Sequence, residues 1–186
     1  MINGDWSSDV CSSDLINSRR SCRKFDSTKP IPHEILQKIV DLAISSPTGV
    51  DAQSNDLYVV TKKEVNNKIS EKAISNLPES FKGMGLKLSD IFYGAPAVIY
   101  IIAAREERED CAPYDLGIIF QNICVAAKYY GLDSTVIGFA QCCPPKDAKE
   151  ILGLNEEAQL IGVALGYADK DWKPSEKELK SKVQWI

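Results

Sequence analysis

The sequence predicts an α+β domain in which helices flank a central sheet. Three observations carry this expectation. Strand-like and helix-like segments mix without strict alternation. Two runs, Ala97 to Ala103 (AVIYIIA) and Gln159 to Tyr167 (QLIGVALGY), are apolar on both faces, the pattern of strands covered on both sides. A long segment, Leu116 to Tyr130, is apolar nearly all round, the pattern of a helix buried on most of its faces. A chain of 186 residues allows one domain, and no internal repeat or dividing linker is visible.

The elements follow in order. Met1 to Leu15 (MINGDWSSDVCSSDL) is dense in Ser and Asp and differs in composition from everything after Ile16. It resembles a translated adapter fragment, foreign-looking or disordered, and is set apart from a domain at 16–186. Its other reading is a helical start, with Ser7 or Ser8 as N-cap before Val10, Cys11, Leu15 and Ile16. Pro30-Ile31-Pro32 stops one element and opens a helix whose apolar residues Ile35, Leu36, Ile39, Val40, Leu42 and Ala43 share one face. That helix ends before Pro47. Leu57 to Val60 is a short strand, and Glu64 to Asn76 a polar helix with Val65, Ile69 and Ala73 on one stripe. Ser80 to Lys87, with Gly83-Met84-Gly85, is a connector without the strand and helix context of a dinucleotide fingerprint. After the strand at 97–103, Asp115 has the character of an N-cap for the apolar helix, which Gly131 closes. Its all-round apolarity in so small a domain favours a helix shared between two subunits. Thr135 to Phe139 is another short strand, Lys146 to Leu152 a short helix ending at Gly153, and Gln159 to Tyr167 the last strand. The tail from Asp169 is charged, with Trp172 and Trp185 as anchors that could wrap a partner.

Composition excludes several functions. Twenty-two basic against 26 acidic residues give a net charge of −4, without the broad basic surface of a general nucleic-acid binder. The longest uncharged apolar run, Ala95 to Ala104, is half of a membrane span of roughly 20 residues. No secretory signal is visible, so a cytoplasmic protein is expected. Six cysteines at 11, 22, 111, 124, 142 and 143 form no C-x-x-C, and there is one histidine, which leaves too few ligands for structural zinc or a ferredoxin-type cluster. The vicinal pair Cys142-Cys143 reads as two reduced thiols in a loop or as a redox switch. His33, in Pro-His-Glu at a helix start, is expected to be exposed, which removes Ser–His and Cys–His schemes.

Four features carry chemistry. Ser18-Arg19-Arg20-Ser21-Cys22-Arg23-Lys24-Phe25 packs four cations into six positions. Arg forks bind phosphate or carboxylate in bidentate fashion; the plainer reading is a solvated basic turn. Pro47-Thr48-Gly49-Val50-Asp51-Ala52-Gln53 is a loop whose polar groups could meet a flat heterocycle. Gly138, in Thr135-Val136-Ile137-Gly138-Phe139, would let main chain approach a ligand closely. Lys173-Pro174 follows the last strand and could meet a phosphate from the far side.

These four features, in this order, resemble the FMN-dependent nitroreductase family. SRRSCRKF at 18–25, SSPTGVDAQ at 45–53, AAKYYGLDSTVIGF at 126–139 and GVALGYADKDWKP at 162–174 match its four motifs over about Ile16 to Ile186. The chain departs from the pattern at Asp51, where the family usually carries Asn, and at Ser54-Asn55, where Pro-Trp is frequent. An Asp cannot donate as an amide does.

The resemblance implies a mixed or antiparallel sheet in an intertwined homodimer, with two interfacial FMN sites drawing on both chains. It implies that Arg19 and Ser21 hold the FMN phosphate and ribityl chain with Arg20 beside them, and that Lys173 approaches the phosphate. Arg23 would sit at the pyrimidine edge, where a cation stabilises the charge of the reduced ring. The backbone at Ile137-Gly138 would face the hydride-accepting nitrogen, and Pro47, Thr48, Gly49 and Asp51 would line another edge. The implied reaction is ping-pong: hydride from NADH or NADPH, then reduction of a nitroaromatic, a quinone or an activated alkene, with no dedicated protein acid or base. Alternatives are a non-catalytic flavin sensor on the same fold, a specialised member that dehalogenates or fragments its flavin, and a small module binding a phosphorylated partner through SRRSCRK.

Overall fold

The computed structural model describes residues 11–82, 90–102, 111–178 and 180–186. Gly83-Met84-Gly85 and residues 1–10 of the foreign-looking segment lie outside them. Among the described residues six helices, α1 (Ser12–Ser18), α2 (His33–Ile44), α3 (Lys63–Ser75), α4 (Glu79–Lys82), α5 (Ala112–Tyr129) and α6 (Pro145–Leu152), accompany four strands. The strands are β1 (Asp56–Val60), β2 (Ala97–Ile102), β3 (Asp133–Ile137) and β4 (Leu160–Gly166), and 3-10 turns cover Gly49–Asp51 and Gly138–Cys142. The sheet runs β1-β2-β4-β3 with every named pair antiparallel. Of the mixed and antiparallel options, the sheet itself takes the second. Its parallel contact is a single bridge, Ser21 to Ser134, outside the named strands. α1 runs across residue 15.

The two-sided apolar run behaves as its pattern requires. Ala97 to Ile101 are fully or almost fully buried. Side chains alternate across a strand, so Val98 and Tyr100 join Phe25, Ile69, Phe92 and Leu160 on one face. Ala97, Ile99 and Ile101 join Leu36, Ile39, Ile119 and Ile123 on the other. The sheet is thus sandwiched between α2 and α5 on one side and α3, α6 and the segment around Phe25 on the other. The buried phenol of Tyr100 donates to Asn66 Oδ1 at 2.8 Å, so its burial leaves no orphan. Gly166 is obligatory where it stands: a Cβ there would lie 2.6 Å from Pro96 Cδ and 2.9 Å from Phe25 Cδ1.

Two expectations shift. α5 begins at Ala112, with Pro113 preset for the first turn, so Asp115 lies inside the helix. Its carboxylate reaches across to accept from the Gly49 amide at 3.0 Å. The strand expected at 135–139 runs from Asp133 to Ile137, and Gly138 opens a 3-10 turn instead. Of the two tail anchors, Trp172 packs against the core, whereas Trp185 is exposed. α5 buries Leu116, Ile119, Ile123 and Ala127 within the protomer but leaves Tyr114 and Ile118 exposed, and α2 leaves Leu42 and Ile44 exposed beside it. Among the described residues no helix is long and apolar enough to cross a membrane.

Candidate functional site

The basic segment is stitched to three parts of the fold that are far apart in sequence. The Cys22 amide donates to Ser134 O at 3.0 Å, Phe25 N to Tyr93 O at 3.1 Å and Asp26 N to Tyr167 O at 2.9 Å. Phe25 also bridges to Ala168. Cys22 and Phe25 are buried, which leaves Arg23 and Lys24 on the outer side. The four cations then divide. Lys24 pairs with Asp169 at 3.0 Å and with Asp171 at 3.7 Å. Arg20 turns onto main-chain carbonyls. Arg19 and Arg23 have no ion-pair partner among the described residues, and neither does exposed Lys173. Arg19 lies near Cys124: burial pushes that thiol's pKa up, and the Arg19 charge opposes the push. A guanidinium without a carboxylate partner has the donor geometry to take an anion such as phosphate.

Arg23 faces a cavity of about 460 Å³, whose wall includes Ile137, Gly138, Phe139, Tyr93 and Phe81. A Cβ at Gly138 would meet no atom within 4 Å, so this stretch of main chain lies bare. Phe81 and Phe139 pack edge to face at 5.4 Å, an aromatic corner suited to a flat ring. Tyr93 adopts φ 58°, strained for a residue with a Cβ. Asp90 over-determines that conformation, its carboxylate accepting from Phe92 N at 2.8 Å and Gly94 N at 2.6 Å. Cys142 also lines this cavity, and burial raises its thiol's pKa. Sequence reasoning missed Phe81 and Tyr93 as wall residues, and Asp90 as the group that holds the turn carrying Tyr93. The signal it passed over was Asp90 two residues before Phe92, a spacing at which Asp caps its own turn.

The second motif lies elsewhere in the protomer. Pro47 is exposed, and Thr48 Oγ1 accepts from Gln53 N at 3.0 Å. Val50, Asp51 and Gln53 all have positive φ, at 50°, 58° and 46°. Three such residues in one short loop mark stored strain, which collects at ligand sites. Asp51 Oδ1 accepts from Gln53 Nε2 at 2.7 Å, so the carboxylate that replaces the family's amide is already engaged. Gly49 packs against Cys111, and a Cβ there would lie 2.8 Å from Cys111 Cβ. Thr48 and Gln53 line a second cavity of about 170 Å³, with Ser46, Ile44 and Ile119. The two cavities share no lining residue. The structure therefore brings Arg23, Ile137 and Gly138 together, ties Arg19, Arg20 and Ser21 to the same segment, and keeps Pro47, Thr48, Gly49 and Asp51 apart. His33 is exposed at the start of α2. Among the described residues no His/Cys/Asp/Glu group is placed to hold a metal ion.

A sequence profile described as the nitroreductase family matches residues 16–167. The chain belongs to the nitroreductase family. The structure of a nitroreductase with bound FMN from Desulfitobacterium hafniense superposes with a TM-score of 0.82 at 26% identity, covering 94% of this chain and 97% of that one. The oxygen-insensitive NADPH nitroreductase of Helicobacter pylori is 25% identical over 92% of this chain and 93% of its own length. A curated relative from Methanothermobacter thermautotrophicus is 29% identical over 67% of this chain. The chain spans 59% of that relative's length. The nitroreductase match begins at Ile16, inside α1, and ends at Tyr167, before Lys173.

Proposed function

We propose that this nitroreductase-family protein is an FMN-dependent NAD(P)H oxidoreductase that reduces nitroaromatic, quinone or activated-alkene acceptors and works as a homodimer. The observation that carries the reading is the bare main chain at Gly138. It lies in the wall of a cavity with Arg23 and an aromatic corner on its other sides. A flat, anionic, phosphate-bearing cofactor fits that donor set: an open wall for the ring, a cation at its edge, and uncommitted cations for the phosphate. The family resemblance and the FMN-bound relative support the same choice.

Within this reading, Arg19, Ser21 and Lys173 bind the phosphate and ribityl end, with Arg20 beside them. Arg23 holds a positive charge at the ring's pyrimidine edge and stabilises negative charge there. The main chain at Ile137 and Gly138 faces the ring, and Phe81, Phe139 and Tyr93 exclude water from its open side. Pro47, Thr48, Gly49 and Asp51 complete the site of the other protomer. FMN held by these residues would supply the redox chemistry of a ping-pong exchange between NADH or NADPH and the acceptor. The protein's part is position and electrostatics, which agrees with an exposed His33. A cytoplasmic setting belongs to the same reading.

The deciding experiment loads the purified protein with FMN, follows binding by fluorescence quenching, and titrates anaerobically with NADH and NADPH before a panel of acceptors. Rapid bleaching of the visible band and reoxidation by an acceptor are expected. Absence of FMN binding overturns the cofactor assignment. Binding with slow or no bleaching overturns the enzymatic one in favour of a sensor.

A further inference from the structure

Arg20 stands in the middle of the basic cluster, yet its Nε and Nη1 donors are taken by main-chain carbonyls. Nη1 donates to Asn17 O at 2.6 Å and to Arg19 O at 2.9 Å. Nε donates to Ser175 O at 3.2 Å, a contact across 155 positions of sequence. The first two contacts satisfy carbonyls at and just beyond the end of α1, where a helix has no partners of its own and where a cation is favoured. The third reaches the segment after β4. That segment is fixed at Ala168 by the bridge to Phe25 and at Asp169 by Lys24, through main chain (Asp169 N to Lys24 O, 3.0 Å) and through the ion pair. Trp172 packs against the core. Beyond Trp172, Arg20 holds the Ser175 carbonyl, so Lys173 stands between one anchor and one clasp.

We propose that Arg20 is a positioning residue, not a ligand of the phosphate: it clasps the Ser175 main chain to the end of α1 and thereby holds Lys173 beside Arg19. The inference rests on the functional reading that Arg19 and Lys173 meet an FMN phosphate. The residue type matters. A guanidinium presents several donors in one rigid plane and spans carbonyls from two segments at once, whereas a lysine ammonium is a point charge on a flexible stem. Arg20→Lys therefore keeps the charge and loses the clasp, which separates the two roles without a disruptive truncation.

The test measures FMN affinity by fluorescence quenching for the wild type, Arg20→Lys, Lys173→Ala and the double variant. Hydrogen exchange over residues 173–178 is followed in the FMN-free proteins. Lys173→Ala is expected to weaken FMN by about tenfold, as for one charge-assisted contact, and Arg20→Lys by about threefold to tenfold. The double variant should bind no more weakly than Lys173→Ala alone, since Arg20 acts through Lys173. Exchange should quicken in Arg20→Lys and stay unchanged in Lys173→Ala. Multiplied losses in the double variant would mean that Arg20 touches the ligand itself, and wild-type affinity in Arg20→Lys would remove it from the site; either result overturns the proposal. If the wild-type protein fails to bind FMN, the functional reading falls, and the exchange comparison alone decides whether the clasp exists.

Discussion

Substitution of Gly138 separates folding from binding, because the two effects have opposite signs. Gly138 is exposed, its φ is not in the left-handed region, and a Cβ would meet no protein atom within 4 Å. Gly138→Ala therefore adds no clash and removes conformational freedom from the unfolded chain, worth about 0.4–1 kcal/mol of stability. In a domain of this size that raises the Tm of the FMN-free protein by roughly 1–4 °C. Gly138 lines the cavity, so on the proposed reading the same methyl meets the ring. Overfilling a fitted contact costs about 1–3 kcal/mol, or roughly fivefold to 150-fold in Kd, and Gly138→Val should lie at the upper end. Thermal melts of the FMN-free variants and fluorescence-quenching titrations read the two effects independently. Wild-type FMN affinity in Gly138→Val would show that the ring does not lie against this main chain. A lowered Tm in Gly138→Ala would show that the open space beside it is not open in solution.

Two further outcomes follow from individual groups. Arg19→Ala should weaken FMN by about tenfold to a hundredfold, the range of a lost charge-assisted contact of about 1.5–3 kcal/mol; unchanged affinity would remove Arg19 from the phosphate site. Burial pushes the Cys143 thiol from its ordinary value near 9 up to about 11, so between these values the folded protein holds a proton that the unfolded chain has lost. Stability from this group is complete below pH 9 and falls as pH rises toward 11, by at most about 1.4 kcal/mol per pH unit. Urea midpoints from pH 8 to 11 should fall less steeply in Cys143→Ala than in the wild type, and parallel slopes would contradict the assignment.

The parts of this protein that could be read in advance are those whose signal is local. Ala97 to Ala103 announced a central strand because both faces of β2 are covered, which leaves no polar alternation to confuse the pattern. The helix ending before Pro47 announced itself through its apolar stripe and its stop. The basic cluster was visible as a cluster, but its internal division was not. Whether Lys24 meets Asp169 or Arg20 meets Ser175 depends on the chain returning after β4, and no spacing within eight residues encodes that return. Asp115 shows the opposite error: it has the composition of a cap, but Pro113 starts the helix a turn earlier and frees its carboxylate to hold Gly49. The aromatic wall was hidden for a third reason. Phe81, Tyr93 and Phe139 come from three separate stretches, and each reads alone as an ordinary core aromatic.

That the two cavities share no lining residue has, on the proposed reading, a consequence for assembly. Arg23 and Gly138 line one cavity, and Thr48 and Gln53 of the strained loop line the other. That loop adjoins apolar surface a lone protomer leaves open. Ile44 lines the small cavity with Thr48 and is 59% exposed, and the Gly49–Asp115 hydrogen bond ties the loop to the turn of α5 that carries exposed Tyr114. In the proposed homodimer the same patch would meet itself and each loop would be offered to the cluster of the other copy, so dimerisation and completion of the FMN site would be one event. Ile44→Glu tests this from outside the basic cluster, because it places a charge on the apolar patch and leaves Arg19, Arg23 and Gly138 untouched. Light scattering should report a mass near 20.6 kDa for the variant and twice that for the wild type, and the monomeric variant should lose FMN although its arginines are intact. A folded monomer that binds FMN as tightly as the wild type would show that one chain suffices, and the loop at 47–53 would then have no part in holding the cofactor.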